Sequence, residues 1–182
     1  TTTATSNGQV GLRAVGSGSS ISGSGSTIRV GPSNGATASN LRGAIAESGA
    51  HIALTNTFLQ MLGGTNGAAN YGLHATGTGS QISFLGGSIS TLSRGSFGVL
   101  AESGGTVTLG NGAQVTTTGV QIVGPPIVGS HALFATGAGS HIIGADISLS
   151  VSGLAASAAR ADNTGAVSLT NSSIVSTSTS SS

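Results

Sequence analysis

The four acidic residues are the first candidates for catalysis, because paired carboxylates perform general acid and base chemistry. Glu47, Glu102 and Asp162 each follow an Ala within the same short motif, and Asp146 stands apart from it. If copies of the motif stack at the strand spacing of about 4.8 Å, these acids lie roughly 10 Å apart, in every second copy. Paired glycosidase carboxylates lie about 5 to 9.5 Å apart, so we expect solvated acids on an outer face.

Histidine, serine and glycine form no second catalytic or ligand-binding pattern. His51 and His141 share one motif position but lie three copies, or roughly 14 Å, apart, and His74 and His131 have no carboxylate in register. No Ser/His/Asp set stands out, and without Lys the chain has no P-loop. It also has no Cys, which excludes thiolate catalysis and Cys-based metal sites. We therefore expect no catalytic residue, no metal ion, no cofactor and no enzymatic activity.

The composition favours a narrow, repetitive interior over a compact aromatic core. The 182 residues are 37% hydrophobic, which argues against disorder, yet they include 32 Gly and only 3% aromatic residues. Val, Ile, Leu and Ala must therefore supply the core. The net charge of +1 comes from five Arg and no Lys, so nucleic acid is not an expected partner. No apolar run approaches the ~20 residues that span a bilayer.

One short motif recurs six times and must position all of these residues. It reads apolar-x-Ala, then a turn rich in Gly and Ser, then Ile or Val. The anchor alanines are 32, 29, 26, 34 and 26 residues apart, which is the length of one solenoid coil. The interval from Ala to Ile or Val alternates 7, 6, 7, 6, 7, 6. In order, the copies run from Leu12-Arg13-Ala14 to Ile21, Ala44-Ile45-Ala46 to Ile52, Leu73-His74-Ala75 to Ile82, Val99-Leu100-Ala101 to Val107, Leu133-Phe134-Ala135 to Ile142, and Ala159-Arg160-Ala161 to Val167.

Period-2 alternation predicts which side of each strand faces inward. Leu12 and Ala14 face the core while Arg13 faces outward, and the same parity holds in every copy. Long turns at residues 16–19, 77–80 and 137–140 alternate with short turns near residues 48–50, 103–105 and 163–166. Glycine suits these corners because a tight bend needs a positive φ. A further strand follows in most copies, so each copy holds about three short strands.

These patterns predict an all-β fold, a right-handed parallel β-helix of about six coils. Residues 1–182 form a single β-helix segment, with the repeat region at about 11–175 and termini that look frayed or truncated. We expect the segment to be a piece of a longer rod, because open edge strands invite association.

Two insertions into the repeat are candidate loops, and insertions in a solenoid project from one face. The longer one carries apolar residues beside a Pro-Pro pair, which suits a rigid partner-binding surface but equally suits cover for the helix flank. The second, at residues 58–62, includes the only Met and is expected to pack onto the rod. The candidate binding residues of the longer insertion are Val120, Ile122, Val123, Pro125, Pro126, Ile127 and Val128.

The outward position before each anchor Ala predicts a partly apolar stripe along the middle of the rod. It could serve as a docking strip, or it could be covered by a neighbouring loop or by another part of the chain. Its candidate binding residues are Ile45, His74, Leu100 and Phe134.

Three segments resemble the passenger repeats of pertactin-like autotransporters. They are Gly-Leu-His-Ala-Thr-Gly-Thr-Gly-Ser-Gln-Ile at residues 72–82, Gly-Val-Leu-Ala-Glu-Ser-Gly-Gly-Thr-Val-Thr-Leu at 98–109 and Thr-Gly-Ala-Val-Ser-Leu-Thr-Asn-Ser-Ser-Ile at 164–174. The resemblance covers most of residues 11–175. It implies export to the surface of a Gram-negative bacterium through a C-terminal β-barrel that lies outside this chain.

The resemblance implies a non-enzymatic, surface-displayed passenger that acts as a virulence factor in adhesion or host-protein binding. The implied partner is a host surface, extracellular or serum protein, or another copy of the chain, and the implied location is the outer membrane or the extracellular space. Two alternatives stay open. One is a carbohydrate-active β-helix, such as a lyase or a tailspike, and the other is a purely structural spacer stalk.

Overall fold

The structure is a computed structural model that describes residues 7–32, 37–63, 69–119, 129–153 and 155–177. Within these ranges the chain is all-β and forms a parallel β-solenoid, with no helix. In chain order the strands are β1 (Val10–Val15), β2 (Ser20–Ser24), β3 (Thr27–Val30), β4 (Arg42–Glu47), β5 (His51–Met61), β6 (Tyr71–Thr76), β7 (Gln81–Thr91), β8 (Phe97–Glu102), β9 (Thr106–Gly110), β10 (Gln114–Thr117), β11 (His131–Thr136), β12 (His141–Ala145), β13 (Ser148–Val151), β14 (Ser157–Asp162), β15 (Ala166–Thr170) and β16 (Ser173–Ser176).

The strands that carry the apolar-x-Ala motif form one six-stranded sheet, called sheet one. Its order is β1-β4-β6-β8-β11-β14, and every neighbouring pair is parallel. Neighbours in space have one or two other strands between them in sequence, so each connection is a complete passage around the molecule. The prediction of a parallel β-helix is thereby confirmed at the level of a parallel solenoid. The right-handed winding and the number of coils stay predictions.

The remaining strands form a ten-stranded sheet, called sheet two, which bends into two faces. Face two contains β2, β9, β12, β15 and the first halves of β5 and β7. Face three contains β3, β10, β13, β16 and the second halves of β5 and β7. Because β5 and β7 run through the bend, the two faces count as one sheet.

The solenoid interior is a stack of register columns, each contributed by equivalent residues of successive strands. The anchor alanines form one such column on sheet one, and Ala46, Ala75, Ala101 and Ala135 are fully buried. Aliphatic columns oppose it from sheet two. Together they form one continuous hydrophobic core, as the predicted parity requires.

The prediction of an insertion at residues 58–62 is wrong. Residues 58–61 form the second half of β5, and Leu59 and Met61 are fully buried in the core. Asn56 makes the bend within β5 with a positive φ of 48°, so no Gly or Pro marks the corner in the sequence. The same bend in β7 uses Gly86.

The alternating long and short turns have a structural role at the corner between sheet one and face two. In the long turns, Ser80 and Ser140 are fully buried, and their hydroxyls accept hydrogen bonds from the amides of Gly49 and Gly104, at 3.0 Å each. Both donors lie in the short turn of the preceding coil. The alternation therefore links each long turn to the short turn that precedes it.

Candidate functional site

The outer surface of sheet one carries most of the large and charged side chains that project from the solenoid. Its outward residues form three register columns, because equivalent residues of parallel strands align at strand spacing. The first outer column is Val10, Arg42, Tyr71, Phe97, His131 and Ser157. The second is Arg13, Ile45, His74, Leu100, Phe134 and Arg160. The third is Val15, Glu47, Thr76, Glu102, Thr136 and Asp162.

The first outer column is an aromatic stack capped by an arginine. The rings of Tyr71 and Phe97 stack with centroids 5.1 Å apart, and those of Phe97 and His131 stack at 5.5 Å. The Arg42 guanidinium lies 3.9 Å from the Tyr71 ring centre and donates to the carbonyl of Ala69. Burial lowers the pKa of Arg42 and raises that of Tyr71, and in each the charge of the other group opposes the effect of burial.

Sequence reasoning missed this stack. The signal was available, because Tyr71, Phe97 and His131 each lie two residues before the apolar residue of the motif. A comparison of that single offset across the copies would have aligned three aromatic rings at strand spacing.

The second outer column contains the four residues of the predicted stripe, and the structure aligns them as predicted. Three of them are nevertheless covered: Ile45 is 7%, His74 5% and Leu100 3% exposed, whereas Phe134 is half-buried. Neighbouring rings of the first column account for part of the cover, since Tyr71 packs edge-on against His74 at 5.5 Å. Of the two alternatives, these three residues therefore match the covered one, and a role in partner binding stays a prediction.

Phe134 is the member of the stripe that joins the aromatic stack to a charged residue. Its ring contacts Phe97 at 5.1 Å and His131 at 5.6 Å, and the Arg160 guanidinium lies 5.4 Å from its centre. Phe and Arg are both enriched at the cores of protein interfaces. The other predicted binding residues, Val120, Ile122, Val123, Pro125, Pro126, Ile127 and Val128, lie outside the described residues.

The acids of the third outer column each pair with a base of the second column. Glu47 contacts Arg13 at 2.6 Å, Glu102 contacts His74 at 2.8 Å, and Asp162 contacts Arg160 at 2.6 Å. His74 has no carboxylate among its register partners, as expected, but Glu102 approaches it diagonally from the adjacent strand. The hydrogen bond from His74, with the nearby charges of His74 and Arg42, lowers the pKa of Glu102 against the opposing effect of burial.

The His74–Glu102 pair has the form of an oriented base, but the described residues do not complete a catalytic set around it. The Nε2 atom of His74 faces the carboxylate, and its buried Nδ1 atom has no hydrogen-bond partner among them. A hydrolytic relay would need a hydroxyl or water at that nitrogen. No group of three or more His, Asp or Glu side chains in the described ranges could hold a metal ion.

His131 is almost fully buried, at 2% exposure, between the aromatic stack and strand β14. Its Nδ1 atom faces the amide of Ser157 at 3.2 Å, and its Nε2 atom faces Arg160 at 3.3 Å. Burial and then the charge of Arg160 lower the pKa of His131 to about 4, with Asp162 acting in the opposite direction. The ring is therefore neutral at pH 7.

The outer surface of sheet two is different in kind. Small uncharged side chains predominate on it, such as Ser22, Ala53 and Ser83 along one column of face two, and Phe58 and Ile143 are exposed apolar residues among them. His51 and His141 are exposed on it, and the exposed Arg29 guanidinium lies 5.9 Å from the centre of the Phe58 ring. Such a surface offers hydroxyl groups but no concentrated charge.

No protein-family model, curated protein or solved structure matches the chain. Among the described residues there is no helix of the length and apolar character that crossing a membrane requires.

Proposed function

We propose that the chain is a non-enzymatic, surface-displayed rod of the pertactin-like autotransporter passenger type, with right-handed winding and about six coils, that acts in adhesion or host-protein binding. The observation that supports this proposal best is the segregation of the outer surface. Aromatic and arginine side chains gather on sheet one, and their accessible members are Arg13, Arg42, Tyr71, Phe134 and Arg160. Tyr and Arg are enriched among interface residues, so sheet one is the surface best suited to a protein partner.

The distribution of the acids favours binding over polysaccharide cleavage. Glu47 and Glu102 lie two strands apart, roughly 10 Å, and each is held by a different base. A cleaving site would require acids that converge on one sugar. Here Glu47 and Glu102 instead each form an ion pair with a base of the second outer column.

The binding proposal is tested with the purified chain against host cells and immobilised extracellular and serum proteins. We expect the wild type to bind, and Phe134→Ala to weaken binding at least about tenfold by removing a central aromatic contact. Ile143→Ala is the matched control, because Ile143 is an exposed apolar residue on sheet two, at 45% exposure. Equal losses in both variants, or no binding by the wild type, would count against the proposal.

Surface display is tested on intact cells of the organism that encodes the protein. An antibody against the chain should label unpermeabilised cells, and external protease should remove the label. Label that appears only after permeabilisation would contradict display.

The non-enzymatic assignment is tested by incubating the chain with a panel of polysaccharides and measuring new reducing ends and unsaturated products. We expect no turnover. Turnover that disappears in Glu102→Gln would favour the carbohydrate-active alternative.

A further inference from the structure

Two arginines lie at the edge of sheet one that is opposite to its acids. Arg42 begins β4 and Arg94 precedes β8, whereas Glu47, Glu102 and Asp162 are the last residues of β4, β8 and β14. All strands of sheet one are parallel, so their beginnings lie at one edge of the sheet and their ends at the other. The edge at the strand beginnings, called the arginine edge, is therefore a strand length away from these acids.

None of the acidic side chains of the chain pairs with Arg42. All four lie in the part of the chain that the structure describes, and the residues outside that part include no Asp or Glu. Glu47, Glu102 and Asp162 each pair with a different base. Arg42 is thus a half-buried cation that no acidic side chain of the chain neutralises.

The guanidinium of Arg42 is held in place but is satisfied on one side only. Its Nη1 atom donates to the carbonyls of Leu41 and Ala69, at 3.1 and 3.0 Å, and its centre lies 3.9 Å from that of the Tyr71 ring. Its Nε and Nη2 atoms have no hydrogen-bond partner among the described residues. Within the same residues, the buried side-chain nitrogen or oxygen atoms that lack a partner are limited to Nδ1 of His74. Nε and Nη2 of Arg42 are therefore open to solvent.

The free side of Arg42 is the side with which other arginines of sheet one hold carboxylates. Arg160 donates to Asp162 from Nε at 2.9 Å and from Nη2 at 2.6 Å, and Arg13 donates to Glu47 from Nε at 2.6 Å. Nε and Nη2 form a planar pair of donors that matches the two oxygens of a carboxylate. Burial lowers the pKa of Arg42, and a carboxylate at this position would counteract that effect. Arg42 therefore has the geometry of a preformed carboxylate site.

Arg94 adds a second positive charge to the arginine edge. Its carbonyl accepts from the amide of Ala69 at 3.2 Å, and the carbonyl of Ala69 accepts from Arg42. The two arginines begin or precede strands that are two positions, or roughly 10 Å, apart in sheet one. Arg94 is exposed and forms no ion pair with any of the four acids. The net charge is only +1 and there is no Lys, so two spaced arginines suit the single carboxylates of an acidic peptide better than a densely charged polyanion.

We propose that the arginine edge binds an acidic segment of the protein partner, with an Asp or Glu side chain of that segment held by Nε and Nη2 of Arg42 and a second one near Arg94. The inference rests on the proposed function, because it names the chemistry of the partner that sheet one binds. The Tyr71 ring and the two backbone carbonyls fix Arg42 before the partner arrives, so less conformational entropy is lost on binding.

The first experiment follows the Nε–H signals of the five arginines by nitrogen-15 NMR while a synthetic peptide of alternating Glu and Gly is added. We expect the Arg42 signal to shift and saturate. Arg29 is the matched control, because it also lies near an aromatic ring, that of Phe58, but is exposed on sheet two, and its signal should stay in place. An unchanged Arg42 signal, an equal shift of Arg29, or an equal response to a peptide with Gln in place of Glu would overturn the proposal.

Substitutions test the planar pair of donors. Arg42→Gln should weaken peptide binding at least about tenfold, because hydrogen bonds between charged groups are the strong ones. Arg42→Lys keeps the charge but loses the planar pair, so we expect a loss nearly as large. Arg29→Gln should bind as the wild type does, and circular dichroism checks that every variant is folded. Wild-type affinity in Arg42→Lys would contradict the assignment to Nε and Nη2.

Two further measurements identify the source of the carboxylate and separate this inference from the proposed function. Tighter binding of a heparin fragment than of the peptide would favour a sulfated glycan and overturn the choice of a protein segment. Host-protein binding that Arg42→Gln leaves unchanged would overturn the inference while the proposed function stands. If the wild type bound no host protein but the peptide shifted the Arg42 signal, the proposed function would fail and the carboxylate site would be confirmed.

Discussion

Sheet one and sheet two share one core but differ on their outer sides. The outer columns of sheet one hold rings and ion pairs that contact one another from strand to strand, such as Tyr71 on Phe97 and Glu102 on His74. The outer columns of sheet two hold small side chains such as Ser22, Ala53 and Ser83 that face solvent. The difference shows that the repeat constrains the inward-facing residues of both sheets in the same way, whereas the outward-facing residues can differ between the sheets.

The divergence has an energetic meaning. On a solenoid, an outward side chain contributes most to stability where directly opposite or diagonal neighbours on adjacent strands are large enough to contact it. Phe97 has Tyr71 and His131 as column neighbours, whereas Phe58 on sheet two has Thr27 and Ser88. A phenylalanine should therefore contribute more to the free energy of unfolding on sheet one than on sheet two, and substitutions can measure the difference.

The largest expected effect is that of Phe97→Ala, which removes the centre of the aromatic stack. Phe97 is 5% exposed, and truncation of a buried Phe typically costs about 3–5 kcal/mol. Phe58→Ala is the control, because Phe58 also faces outward but is 38% exposed on sheet two, and we expect about 1 kcal/mol or less. Urea denaturation measures both free energies of unfolding. Equal losses would remove the energetic distinction between the two sheets.

The second largest expected effect is a loss of folding stability at acid pH, which we attribute to a residue of sheet one, His131. The folded-state pKa of His131, about 4, lies below its ordinary value of 6.5, so the unfolded chain binds the proton more readily. The contribution is fully present above pH 6.5 and is lost as the pH falls from 6.5 through about 4. We expect a loss on the order of 3 kcal/mol across this window.

His131→Gln is the control for this titration. It should be less stable than the wild type at pH 7, and the difference between the two should narrow as the pH falls, as measured by urea denaturation at several pH values. A difference that stays constant from pH 7 to pH 4 would show that His131 does not carry the acid sensitivity.

Most of the interior could be predicted from the sequence because the spacing of the motif determines which of its residues face inward. Six anchor alanines and their alternating intervals specified the strands, the parity and the turns, since a coil that broke the register would expose its core. The bend within β5 escaped prediction because Asn56 adopts a positive φ without the usual Gly signal. The contacts in the outer columns were not predicted for another reason. The contacts of Tyr71 and His74 depend on which residues the neighbouring coils place beside them.

The smallest effect distinguishes two acids of a single column on sheet one. Glu102 is held by buried His74, whereas Glu47 pairs with Arg13, whose side chain is 60% exposed. Because the pKa of Glu102 is lowered, its contribution is present above the ordinary value of 4.5 and is lost as the pH falls through the folded-state pKa. Glu102 is itself partly exposed, so screening limits the effect, and Glu102→Gln should cost about 1 kcal/mol or less at pH 7.

Glu47→Gln removes an ion pair that solvent screens more strongly, and we expect at most about 0.5 kcal/mol at pH 7. The difference from the wild type should fade in acid for Glu102→Gln, because protonation of Glu102 in the wild type removes the same charge. Thermal denaturation at pH 7 and in acid measures both variants. If Glu47→Gln were the more damaging of the two, the ion pairs of sheet one would owe their strength to the arginine rather than to burial beside the aromatic stack.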